Sequence, residues 1–264
     1  MDMVPFGRTG LQVSVAGLGC GGNSRLGLGQ GKTGADAVRL IRAAHDLGVN
    51  FLDTAQAYGT EGAVGAARAE IGRDKVVIST KSLIRKGGAL ITAGDLRANL
   101  DASLGLLGTD FVDIYNLHAV KPKDYAYAEA EMLPELVKAR EAGKIRHIGI
   151  TETSPHDPEQ RMLRTALQNP AWEAAMFAIH MLHQGAMRDV LPRTQANGVG
   201  TMAMFGVRNI FSQPDVLADN VKALIAKGQL DASVGDDPEP LGFLIHERGA
   251  QSLTDAAYRF VRHT

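Results

Sequence analysis

From Val15 onward the sequence alternates short, apolar, β-prone runs with longer segments of helical period, the two kinds separated by Gly, Asn and Asp. That alternation is the signature of repeated βα units around a parallel sheet. The candidate strands are Val15 to Gly19, Asn50 to Thr54, Val76 to Lys81, Val112 to Leu117, His147 to Thr151, Ala174 to Ile179 and Gly200 to Phe205. Between them, Thr33 opens a helix with Asp36 as its capping-box partner, Ala37, Ile41 and Ala44 form an apolar stripe, and Gly48 ends it. Thr92 and Asp95 repeat the box ahead of Leu96, Leu100, Leu104 and Leu107, with Gly108 as the stop. Pro134 is tolerated if its helix starts near Leu133, and Pro192 plays the same part later. Ahead of the first unit, Phe6 to Val13 reads as two short strands around an Arg-Thr-Gly turn, able to plug one end of a barrel. Asp231 to Pro240 reads as a polar surface loop, and Ser252 to Phe260 as a helix.

A chain of 264 residues with 45% hydrophobic composition can bury a full core, and one α/β domain over residues 1–264 is expected. The formal net charge is -1 and no Lys/Arg block stands out, which argues against nucleic acid or an anionic membrane as partner and for small molecules. Cys20 is the only cysteine, so neither an intrachain disulfide nor a cysteine-built metal site is available, and a reducing cytoplasm is the simplest home. Met1 to Gly7 lacks a basic start with an apolar stretch, and no later apolar run approaches the roughly 18 residues of a membrane helix.

Two glycine patterns invite nucleotide-binding readings. Gly17 to Gly22 satisfies G-x-G-x-x-G after a strand, but the next helix begins only at Thr33, whereas a Rossmann helix opens at the glycines themselves. Gly27 to Thr33 approaches a phosphate loop, yet the required first glycine position is Leu26. A mobile glycine-rich loop is the preferred reading of both.

Asp53, Lys81 and His118 stand at the C-terminal ends of three successive expected strands, with Tyr58 in the loop after the first. In a parallel barrel those ends share the face where catalytic residues collect, although a buried Asp–Lys pair can also be purely structural. The surrounding segments decide between these. Gly48 to Gly59 (GVNFLDTAQAYG), Val77 to Lys81 (VISTK), Asp113 to His118 (DIYNLH) and Gly143 to Ile150 (GKIRHIGI) closely resemble, in order and spacing, the motifs of the aldo-keto reductase family. The likeness runs from the N-terminal hairpin to at least Val207.

The resemblance implies a TIM-type (β/α)8 barrel, an α/β fold that binds NADP(H), ahead of NAD(H), without a Rossmann motif and passes a hydride to a small aldehyde or ketone. It implies Tyr58 as proton donor, Lys81 as the ammonium that stabilises its phenolate, Asp53 as the group holding the lysine, and His118 as a hydrogen-bond donor to the carbonyl oxygen. Thr151 and Glu152 fall where the family holds the nicotinamide amide, Phe205, Gly206 and Val207 near the pyrophosphate path, and Gly21, Gly22 and Asp53 complete the implied cofactor contacts. Met176 to His180 offers no equivalent of the glutamine and stacking tyrosine many relatives carry. His180 and His183 lack the carboxylate or cysteine company of a metal site, Cys20 reads as a small apolar filler, and Trp172 reads as packing.

Only seven strands can be counted, so the eighth βα unit is expected to be missing from this chain, and with it the family's adenosine clasp. Two other functions stay open: a cofactor-binding regulatory subunit without turnover, and a Schiff-base enzyme using Lys81, which the neighbouring Asp53 disfavours. Substrate and oligomeric state are not legible, because pocket loops vary independently of the frame.

Overall fold

A computed structural model describes residues 1–236 and 239–264; Asp237 and Pro238, inside the expected surface loop, lie outside the described residues. At the N-terminus, β1 (Met3–Pro5) pairs antiparallel with β2 (Gln12–Ser14), Val4 opposite Val13. The sequence reading put this hairpin at Phe6 to Val13. Gly7–Thr9 is instead a 3-10 turn, because Gly7 and Gly10 take left-handed backbone (φ 55° and 77°) that a strand cannot use. Phe6 is buried, its ring edge-on to Phe51 at 5.5 Å, and Gly200 leaves room for it: a Cβ there would stand 2.4 Å from the Phe6 ring.

Seven strands form the main sheet: β3 (Leu18–Gly19), β4 (Phe51–Asp53), β5 (Val77–Leu83), β8 (Val112–His118), β9 (Ile145–Thr151), β10 (Ala174–Ala178) and β11 (Gly200–Met204). A small hairpin of β6 (Arg85–Lys86) and β7 (Ala89–Leu90) stands outside it. Along the sheet the order is β11-β10-β9-β8-β5-β4-β3, so each successive unit adds the next neighbour, as in a TIM-type (β/α) barrel. Among the described residues β3 and β11 each have one partner strand. β8 up to Leu117 and the whole of β10 are buried, as strands covered on both faces must be.

The first expected strand shortens to Leu18–Gly19 because Val15 leaves the sheet, its N–H donating to Asp2 O. The third and fourth run further than expected, since the β5–β8 register continues to Leu83 opposite His118.

Both capping boxes form: Thr33 with Asp36 opens α1 (Gly34–Asp46), and Thr92 with Asp95 opens α3 (Ala93–Leu107), which stops at left-handed Gly108. α2 (Glu61–Ile71) lies between them. The helix Leu133–Glu141 has its proline where expected, but it continues out of a π-helical turn, Ala128–Met132. Proline lacks an N–H and crowds the preceding turn, and the wider π turn accommodates both. The glycine segment is no Rossmann turn: Arg25–Gln30 forms 3-10 turns before α1 begins at Gly34. At the strands' opposite ends, buried Asp113 accepts from Arg73, Arg146 and the Ile78 N–H, and both guanidinium groups stack on Phe111 at 4.1 and 4.2 Å.

The chain divides into two compact units, residues 1–177 with 189–202, and residues 178–188 with 203–264. The second gathers Phe211, Leu217, Val221, Leu241 and Ala257 into its own core, with helices Pro214–Ala226 and Leu253–His263. Among the described residues no helix is long and apolar enough to cross a membrane.

Candidate active site

The site is assembled in the first unit by strand alternation. Residues two apart on a strand share a face, so Ser79 and Lys81 of β5 face the same way, as do Asn116 and His118 of β8. Register sets Asp53 beside Ser79 and Lys81 beside Asn116. Lys81 is fully buried, with Nζ 2.7 Å from both Asp53 carboxylate oxygens and 2.8 Å from Thr54 O. The two oxygens of one carboxylate lie too close together to take separate hydrogens of one ammonium, so Asp53 and Thr54 O account for two of the three. The Lys81 ammonium lies 5.1 Å from the Tyr58 ring centroid.

Tyr58 ends a 3-10 turn, Gln56–Tyr58, closed by left-handed Gly59. The loop is fastened to the strands at its base: Thr54 and Thr60 hydroxyls are 2.8 Å apart, and Thr80 donates to buried Glu61 at 2.6 Å. The Tyr58 ring stands edge-on to His118 at 5.5 Å and lies against Gly21, where a Cβ would come within 2.5 Å of it. Burial, and after it the charge of Asp53, pushes the Tyr58 phenol above its ordinary range, so the side chain is a neutral acid at physiological pH. Burial, and after it Lys81, holds the His118 imidazole down to about 3, and Nδ1 is buried with no hydrogen-bond partner among the described residues. Cys20 is fully buried and its thiol is pushed up to about 12, chiefly by burial, which suits a packing role.

Thr151 and Glu152, both buried, end β9. Thr151 Oγ1 accepts from Ala119 N at 2.7 Å and holds the turn after His118, where Ala119 takes a left-handed φ of 53°. Its own hydrogen faces Glu152 O only at 3.5 Å. Gly22 (φ 72°) faces open space. Phe205, Gly206 and Val207 belong to the second unit; there Phe205 has a φ of 67° and carries the Arg208 guanidinium over its ring at 3.6 Å. His180 and His183 sit with rings 5.7 Å apart, and no group able to hold a metal ion is found among the described residues. Trp172 is fully buried and donates to the Tyr125 hydroxyl.

Sequence reasoning missed Ser79, Asn116, Thr60 and Glu61. Alternation from Lys81 and His118 was the available signal for the first two. Ser79 Oγ donates to Asp53 at 2.8 Å, and Asn116 Nδ2 donates to Ser79 Oγ at 3.0 Å and to Thr80 O at 3.2 Å.

Residues 17–261 match the model of the aldo/keto reductase family. The chain is 30% identical over 209 residues to L-galactose dehydrogenase of Arabidopsis thaliana, covering 77% of this chain and 64% of that protein. It is 35% identical over 133 residues to 6-dehydroglucose reductase of Novosphingobium aromaticivorans, covering 46% and 43%. The chain thus spans less than two thirds of the length of either curated relative. The holo form of an aldo-keto reductase from Bacillus halodurans superposes with a TM-score of 0.68 at 26% identity, over 81% of this chain and 69% of that one.

Proposed function

The chain belongs to the aldo/keto reductase family, and from that premise we propose that it is an NAD(P)(H)-dependent oxidoreductase of small aldehydes and ketones, or of the corresponding alcohols, with Tyr58 as proton donor. The observation that carries this reading is the Tyr58 ring set edge-on to His118 at 5.5 Å, beside a buried lysine ion-paired with Asp53 and hydrogen-bonded to Thr54 O. A nicotinamide cofactor, NADP(H) ahead of NAD(H), supplies the hydride when bound. Thr151 fits its carboxamide, because the hydroxyl keeps a hydrogen to give, with Glu152 beside it and Gly21 and Gly22 along the approach. His118 orients the substrate carbonyl by donating to its oxygen, and Tyr58 delivers the proton as negative charge develops there. Lys81 favours that transfer by its positive charge, and Asp53 keeps the charge in place.

The test is a fluorescence titration with NADPH and NADH, paired with turnover of a generic aldehyde and of hexoses, the sugar class for which both relatives are named. Tyr58→Phe is expected to bind cofactor as the parent does and to lose roughly 10²-fold or more in turnover. Undiminished turnover in that variant would remove Tyr58 from the mechanism.

A further inference from the structure

Asn116 is fully buried, its Oδ1 has no hydrogen-bond partner among the described residues, and its amide makes two donations. One goes to Thr80 O, a peptide carbonyl that can only accept. This fixes which end of the amide is the NH2, so the hydrogen facing Ser79 Oγ also belongs to nitrogen. A serine oxygen that receives a hydrogen from Asn116 has its own hydrogen left to give, and of its two acceptors Asp53 Oδ1, charged and at 2.8 Å, outcompetes the weakly accepting Met202 sulfur at 3.8 Å. The chain of bonds therefore has one direction, from Asn116 through Ser79 to Asp53 and its ion pair with Lys81. Gly149 makes room for it: a Cβ there would lie 2.1 Å from Asn116 Oδ1.

We propose that Asn116 is a positioning residue which, through Ser79, fixes a hydroxyl hydrogen on Asp53 and so sets the charge that Lys81 and Tyr58 experience. The inference rests on the reading of Tyr58 as proton donor. Tyr58 is faced by Asp53 from β4, Lys81 from β5, His118 from β8 and Cys20 from the segment after β3, and Asp53 is the group the Asn116 chain touches directly. A hydroxyl hydrogen held on a carboxylate draws off part of its negative charge. Without it, Asp53 bears more strongly on the phenol and makes it a weaker acid.

The experiment measures kcat, KM and the pH profile of kcat for NADPH-dependent aldehyde reduction by the full chain. It compares the parent, Tyr58→Phe, Ser79→Ala, Asn116→Leu and the Ser79→Ala/Asn116→Leu double variant, with thermal melts to establish folding. Each single variant at 79 or 116 is expected to lower kcat about tenfold, the scale of one hydrogen bond to a charged group, with KM unmoved. The double variant should fall no further than Ser79→Ala, since both act along one path, and the basic limb of the profile should move to higher pH. If Asn116→Leu does not fold, the isosteric Asn116→Asp replaces it, with a larger loss expected because a carboxylate would take the Ser79 hydrogen for itself. Losses that add, or an unchanged kcat at 79 or 116, overturn the inference while the role of Tyr58 stands. Undiminished turnover by Tyr58→Phe overturns both.

Discussion

Removing the charge of Asp53 tests the electrostatic frame most directly. Lys81 has no solvent exposure, and its ammonium is neutralised by one carboxylate, whose side chain keeps 16% exposure. Asp53→Asn preserves shape but leaves a buried cation with Thr54 O and one amide oxygen as acceptors. Breaking a buried pair from one side costs about 3–5 kcal/mol, because the remaining charge is uncompensated. Lys81→Met leaves the charge on the partner that still reaches water and is held by Ser79, so a smaller loss, about 1–3 kcal/mol, is expected. The Asp53→Asn/Lys81→Met double variant leaves no buried charge and should return to within about 1 kcal/mol of the parent. Urea unfolding at neutral pH, with the slope checked for constancy, measures all three. If Asp53→Asn cost under about 1 kcal/mol, or the two single losses simply added, Lys81 would not be held as a buried cation, and its electrostatic support of Tyr58 would fall with it.

Gly149→Ala should cost about 1–3 kcal/mol in the same assay, because the new methyl would stand 2.1 Å from Asn116 Oδ1 and 3.1 Å from Ala174 Cβ; wild-type stability would show the strand able to shift. His118 has a folded value near 3, below the ordinary 6.5 of an unfolded chain, so the unfolded state binds the extra proton first. Stability is therefore expected to be retained above about pH 6.5 and to decline as pH falls toward 3. His118→Gln should remove that part of the acid sensitivity, as followed by denaturation at a series of pH values. Cys20, buried with its thiol near 12, should resist iodoacetamide in the folded protein at mildly alkaline pH and react fully in denaturant; rapid labelling of the native chain would contradict its burial.

What could be read from the sequence was what local chemistry decides. Thr33 with Asp36 and Thr92 with Asp95 specify helix starts within four residues, and both boxes form. Asp53, Tyr58, Lys81 and His118 were legible because they sit in short segments whose order fixes which strand ends they occupy, and the structure brings them together. The rest depended on partners distant in sequence or on backbone detail. Asn116 looked like one more residue inside an apolar strand, and its meaning appears only when β8 is set beside β5 and Ser79. Gly21 was read as a cofactor contact, whereas its packing against the Tyr58 ring is visible only in three dimensions. The hairpin was displaced because left-handed Gly7 and Gly10 make a longer turn than the Arg-Thr-Gly pattern suggests. The π turn ahead of Pro134 left no sequence signal beyond the proline itself.

A lysine beside a tyrosine could perform two jobs. A hydrogen directed at the phenol oxygen would let it relay a proton, and its charge alone would let it stabilise a phenolate. For Lys81, Asp53, whose two oxygens share one direction, and Thr54 O account for two of its three hydrogens, and the third has no acceptor among the described residues, so both jobs are within its reach. The burial that keeps His118 neutral also raises the phenol, so desolvation acts on both groups toward their uncharged forms. Taking a proton back requires a phenolate, and beyond Lys81 that requires further positive charge on the open face of the ring. If Tyr58 is the proton donor, as proposed, its raised phenol favours protonation of a carbonyl oxygen over the reverse transfer.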